Sequence, residues 1–256
     1  MNPVIYRIGS LEIRAFAWAL LIPLCIGAGV LAYSARHRGE RVTRWLDAGL
    51  GALIGGVLGA RVAYLLLEWR YYALYPAQVW SLGGGLDWHG AAFGGWVSGW
   101  LMCRLRSVPF APFLAACAWS VPLLAFGIQV GCDAAACGYG SKVRTLADYP
   151  ALLVTEAPDV YGTLAPRWNL PLISALYAVL VLAVIAAMRN TRFWVALLLL
   201  SGYSYFANNL SGQPRATIFA GLSADRALDV LIFAFVLCGL LRSFAARRPI
   251  ERSPVP

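Results

Sequence analysis

Charged residues are scarce in this sequence: 13% of it is Asp, Glu, Lys or Arg, against about 25% in an ordinary soluble domain. That scarcity argues against a soluble domain. Histidine is scarcer still, with His37 and His89 the only two, and an imidazole with no second histidine beside it makes a poor metal site. No metal and no cofactor are therefore expected. No low-complexity segment and no internal repeat interrupts the chain. No nucleophile motif accompanies its serines, which weighs against an intramembrane hydrolase pairing Ser204 or Ser211 with His89.

What the chain does have is apolar sequence, 60% of its 256 residues. It comes in long blocks, and a membrane span needs roughly 20 mostly apolar residues to cross a hydrocarbon core of about 30 Å. The blocks cover approximately residues 15–33, 46–69, 88–105, 110–131, 170–188, 193–210 and 226–241. The expectation is an all-α polytopic membrane protein, one transmembrane domain over residues 1–256 with about seven transmembrane helices. The first block reads as an uncleaved span rather than a signal peptide, because its apolar core is long and the stronger positive cluster follows it.

The arginines orient the spans, since cytoplasmic flanks retain positive charge. Arg36, Arg38, Arg41 and Arg44 follow the first block, Arg104 and Arg106 the third, Arg189 and Arg192 the fifth, and Arg242, Arg247, Arg248 and Arg252 the last. The alternate loops are sparser in Lys and Arg. This pattern places the N-terminus outside and the C-terminus in the cytoplasm. The net charge of +9 then follows from topology, and no nucleic-acid partner is expected.

Gly49, Gly51, Gly55, Gly56, Gly59, Ala60 and Ala63 in the second block, and Gly90, Gly94, Gly95 and Gly99 in the third, predict two helices that approach closely. Two outer connections are long. One spans residues 70–87; the other, at about 132–169, is expected to hold short interfacial helices, with residues 149–153 at the membrane surface.

Span directions bring scattered polar residues to the outer face. Arg61, Tyr64 and Glu68 end the second span, His89 opens the third, and Gln129, Cys132, Asp133, Cys137, Tyr139 and Lys142 follow the fourth. Tyr203, Asn208 and Asn209 end the sixth, and Asp225, Arg226 and Asp229 open the seventh. Ionisable residues inside spans are costly and mark function by default, although an acid at a helix start is also favoured by the helix dipole. His89 is a candidate base or phosphate ligand near neutral pH. The glycines of residues 131–140 suit either a backbone anion cradle or a plain turn. Cys132 and Cys137 would face an oxidising compartment, which allows a disulfide; Cys25, Cys103, Cys117 and Cys238 look like small apolar span residues.

Asn2-Pro3-Val4-Ile5-Tyr6-Arg7-Ile8-Gly9, Gly59-Ala60-Arg61-Val62-Ala63-Tyr64, and Gly84-Gly85-Leu86-Asp87-Trp88-His89-Gly90 resemble the bacterial prolipoprotein diacylglyceryl transferase family. So do Gly131-Cys132 with Cys137-Gly138-Tyr139-Gly140, Gly202-Tyr203, and Leu222-Ser223-Ala224-Asp225-Arg226. The resemblance implies transfer of diacylglyceryl from phosphatidylglycerol to a lipobox cysteine of a prolipoprotein, at the outer face of the cytoplasmic (inner) membrane. It implies His89 and Arg61 as catalytic candidates, to which shared depth adds Arg226; Tyr64, Gly90, Gln129, Gly131, Cys132, Tyr139, Gly140 and Tyr203 are the substrate-binding candidates. The expected partners are phosphatidylglycerol or another anionic phospholipid, lipobox-containing prolipoproteins and the membrane itself.

The chain departs from the family pattern where cations and acids are usual. Gln129 stands for an arginine, Cys132 for an asparagine, Phe16 for a tyrosine, and Ala207 and Ser211 for an arginine and a glutamate; no histidine-proline motif stands around Asn169-Leu170-Pro171. Arg215 and Arg226 are the candidate replacements for the missing cations. These departures keep an alternative open, a non-catalytic relative that binds phospholipid or lipoprotein. A transporter fits less well, since the polar residues gather at one face instead of lining a path through the midplane.

Overall fold

The computed structural model describes residues 4–8, 11–80, 85–159, 161–188, 192–212, 217–219 and 222–245. Arg215 lies outside them. The chain is mostly helical: α1 (Ala15–His37), α2 (Val42–Leu67), a short α3 (Trp69–Leu74), α4 (Trp88–Arg106), α5 (Phe110–Ala135), α6 (Leu170–Ala187), α7 (Arg192–Leu210) and α8 (Ala224–Ala245). Each apolar block of the sequence falls on one long helix. α1, α2, α5 and α6 are long and apolar enough to cross a membrane by length and composition. Leu50, Ile54, Leu58 and Leu66 of α2 and Ile22 and Ile26 of α1 point outward and stay exposed. Water is a poor solvent for such a surface and lipid a good one.

Local chemistry sets the helix ends. Asp87 caps α4 by accepting from the Gly90 N–H at 3.0 Å, and Asn169 caps α6 by accepting from the Leu172 N–H at 3.2 Å. α4 stops at Ser107, whose left-handed conformation (φ 56°) turns the chain toward Pro109 and α5. α2 and α4 pack tightly along their glycines. A Cβ on Gly59 or Gly90 would collide with the other's carbonyl oxygen, and one on Gly94 with that of Gly55. At the arginine-rich end, Leu31, Trp45, Cys103, Val108 and Phe113 form a buried core joining α1, α2, α4 and α5. Val181, Ile185 and Ala196 seal α6 against α7.

The outer connection differs from expectation. Residues 151–153 form turns, and the chain continues as an antiparallel hairpin of β3 (Val154–Pro158) and β4 (Leu164–Trp168) in place of interfacial helices. Thr155, Val154 and Trp168 favour extended backbone, and Asp159 closes the turn by accepting from the N–H groups of Tyr161 and Thr163. Two further short hairpins pair β1 (Val4–Ile8) with β2 (Leu11–Arg14) and β5 (Thr217–Phe219) with β6 (Leu222–Ser223). The expected helical class holds, with three small β-hairpins added among the described residues.

Candidate functional site

His89 sits in the first turn of α4, 5% exposed, between two carboxylates. Its Nδ1 lies 3.0 Å from Asp87 Oδ2 and its Nε2 3.0 Å from Asp229 Oδ1 on α8. Asp229 is 1% exposed, and its second oxygen accepts from Asn208 Nδ2 at 2.6 Å. Four side chains from α4, its cap, α7 and α8 thus form one buried chain of hydrogen bonds. Both imidazole nitrogens face acceptors, so the group is fully bonded only when it holds a proton more than a neutral imidazole and two carboxylates carry. Trp88 lies beside His89 with ring centroids 4.3 Å apart and the planes tilted by 39°. Its buried Nε1 has no hydrogen-bond partner among the described residues.

Arg61, 7% exposed, points its guanidinium at backbone carbonyls: Gln78 at 3.0 Å, Val79 at 2.8 Å and Gly85 at 3.0 Å. It also lies against the rings of Tyr64 and Tyr72. A planar fork with five donors suits this task, whereas a lysine would reach fewer acceptors. Gly85 adopts φ +126°, and a Cβ there would collide with the Tyr64 ring, so glycine is required on both counts. The Asp87 N–H donates to the Ala60 carbonyl at 3.0 Å. Arg61, Tyr64 and Ala60 therefore fix residues 85–87, and through them the position of His89. Gly90 packs directly on α2.

Arg226 lies one turn before Asp229 and donates to Asn209 Oδ1 at 2.6 Å. A second polar group surrounds the loop after α5. Cys132 and Cys137 form a disulfide, and Gly131 lies inside α5 against the Phe16 ring. The N–H groups of Cys137, Gly140 and Ser141 are bonded to the carbonyls of Cys132, Trp168 and Leu210. Gly131 and Gly140 are closely packed here, which accords with the turn, the second of the two readings the sequence left open for residues 131–140. Tyr139 lies under Arg167, 5.0 Å from the guanidinium carbon, and an open depression of about 400 Å³ adjoins Tyr139, Ser141, Lys142, Asp159 and Arg167.

Arg167 is 3% exposed and donates to Ala157 O at 3.2 Å and Asp159 Oδ2 at 3.0 Å. The two turn N–H groups of Thr163 and Tyr161, with Arg167 and Lys142 nearby, hold the Asp159 carboxyl below its ordinary pKa. The two polar groups meet at the end of α7, where Asn208 reaches Asp229 and Leu210 receives the Ser141 N–H.

Two of the sequence-derived residues stand apart. Tyr203 is deeper in α7, bonded to Ser174 Oγ at 2.9 Å and stacked on Tyr177, and Gln129 is half-buried on α5. Asp87 and Asp229 as the partners of His89 were not legible as a set. An acid in an apolar helix was the available signal for Asp229; Arg167 carried none.

A family profile described as Prolipoprotein diacylglyceryl transferase matches residues 3–241. Proteins named phosphatidylglycerol–prolipoprotein diacylglyceryl transferase are similar over shorter stretches. That of Trichormus variabilis is 30% identical over 110 residues, covering 43% of this chain and 39% of the relative. That of Clostridium novyi is 34% identical over 116 residues, 43% of each, and that of Thermotoga maritima 32% over 133 residues, 51% of this chain and 44% of the relative. The chain thus spans about two fifths of the length of the curated relatives it matches. The profile takes in α4, α7 and most of α8, which carry the His89 group, and the chain belongs to the prolipoprotein diacylglyceryl transferase family.

Proposed function

We propose that this chain is a multi-pass transferase of the bacterial inner membrane that moves diacylglyceryl from phosphatidylglycerol to the cysteine thiol of a prolipoprotein. The observation that carries this reading is the family match over residues 3–241, which runs through every helix that contributes to the His89 group. Seven spans, α1, α2 and α4 to α8, with the N-terminus and the site toward the periplasm, accord with the arginines at the opposite end. The Cys132–Cys137 disulfide fits an oxidising compartment at the site's end.

In the reaction the thiol gives up its proton, sulfur bonds to the terminal glyceryl carbon of the lipid, and that carbon's bond to the phosphate oxygen breaks. Glycerol phosphate leaves with the electron pair, and a thioether remains. Two needs follow, a proton acceptor and stabilisation of the departing phosphate. The acceptor is the Asp87–His89–Asp229 group. His89 is an acceptor in its neutral form, with the Nδ1–H donating to Asp87 to keep the ring oriented and the Nε2 lone pair freed as that nitrogen separates from Asp229, a contact between two helices. Donors for the phosphate are Arg226, one turn from Asp229, and the Trp88 indole N–H beside His89. Arg61 and Tyr64 are positioning residues acting through Gly85. Gly90, Gly131, Cys132, Tyr139 and Gly140 shape the backbone around this centre, whereas Gln129 and Tyr203 stand apart from it.

A second reading, a non-catalytic relative that binds phospholipid or lipoprotein, is favoured by one observation: Arg61 is committed to backbone carbonyls, while Gln129 and Ala207 supply no charge. One assay separates the two. Purified protein is incubated with labelled phosphatidylglycerol and a lipobox peptide. Lipidation of the peptide with release of glycerol phosphate is expected; lipid retained without either product would establish the binding reading.

A further inference from the structure

An open groove of about 560 Å³ lies between α1 and α5 at the arginine-rich end, and none of the residues of the His89 group lines it. Its floor is apolar, made by Ile26, Gly29 and Val30 of α1 and Ala115 and Ala116 of α5. Its rim carries two cations, Arg38 just past the end of α1 and Arg192 at the start of α7, with His37 beside them. Two of these side chains are held in place by rings, Arg192 over Trp119 at 5.3 Å and His37 stacked on Tyr33 at an interplanar angle of 7°. Arg38 is exposed, and no acidic residue lines the groove among the described residues.

From Ile26 to Arg38 the helix rises roughly 18 Å, close to the depth of one leaflet of a hydrocarbon core about 30 Å thick. An apolar floor of that length ending in cations complements one chemistry, an acyl chain carrying an anionic phosphate head. A free phosphate would leave the floor bare. We propose that this groove binds one anionic phospholipid, its chain between α1 and α5 and its phosphate at Arg38 and Arg192, as a site separate from the His89 centre. Basic pockets between helices are suited to such head groups. That the lipid belongs to the cytoplasmic leaflet rests on the topology proposed above; the binding itself does not.

The full chain in detergent, titrated with phosphatidic acid or with phosphatidylcholine of the same acyl chains and read by native mass spectrometry, tests the site. Phosphatidic acid should be retained preferentially. Gly29→Leu fills the groove without a clash, since a Cβ at 29 meets no atom within 4 Å, and should weaken retention, as should Arg38→Ala, the latter about fivefold. Diacylglyceryl transfer should be unchanged in both. Equal retention of the two lipids overturns the proposal, and so does Gly29→Leu binding like the unaltered chain. Labelling of Arg38→Cys beyond the level of the unaltered chain, by an impermeant reagent from outside intact cells, would overturn the topology while leaving the lipid result standing.

Discussion

His89 shows how one residue's meaning depends on what faces it. An imidazole between Asp87 and Asp229, at 3.0 Å from each, is a proton-holding group, and the two acids have separable tasks. His89→Gln should lower transfer by about 10²–10⁴-fold, the usual worth of a positioned acid–base group. Asp229→Asn keeps the size and the contact to Asn208 but removes the charge that opposes His89, so kcat should fall with KM little changed in steady-state assays. Asp159 gives a prediction of opposite character, because its pKa is lowered in the fold by the turn N–H groups and Arg167. Its contribution to stability is complete above the ordinary carboxylate range, about pH 4, and is lost as pH falls through the depressed folded-state value. Thermal midpoints of the unaltered chain and Asp159→Asn, measured across acid pH, should therefore converge at the acid end.

At the scale of elements, α2 and α4 are one unit. Their contact runs through Gly55, Gly59, Gly90 and Gly94, whose missing Cβ atoms let backbone meet backbone; lipid tails are as apolar as leucine, so packing rather than hydrophobic burial holds the pair. Gly94→Leu should destabilise the protein by at least about 1–3 kcal/mol through overpacking. The change would appear as a lowered midpoint in a detergent unfolding series and as lost activity, because Asp87 and His89 ride on α4. The pairing was legible in the glycine spacing alone. The β3–β4 hairpin was not. Its strands are short, and its order comes from Arg167 reaching Ala157 and Asp159 within the hairpin and from the Lys142–Arg167 bridge and the Gly140 N–H to Trp168 carbonyl bond, which join segments distant in sequence.

For the whole molecule, the arginine asymmetry makes a direct prediction. A periplasm-active reporter fused after Thr145 should be active, and one fused after Ser107 inactive; the reverse pattern would invert the proposed orientation. Among the described residues, the existence, order and approximate limits of the long helices were legible in the sequence alone, because long apolar blocks favour helices whose backbone groups are satisfied internally. The gathering of polar residues near Arg61, His89 and Asp229 was also legible at the level of which end they occupy. Tertiary structure decided their partners. Asp229 and His89 are 140 residues apart in sequence, and Arg61 bonds carbonyls rather than an anion, since a hydrogen bond depends on ångström-scale placement of side chains that hydropathy and charge bias do not encode. The same holds for the glycines of residues 131–140. Their composition allowed a cradle or a turn, and only the packing of Trp168, Pro171 and Gly212 around them selected close contact.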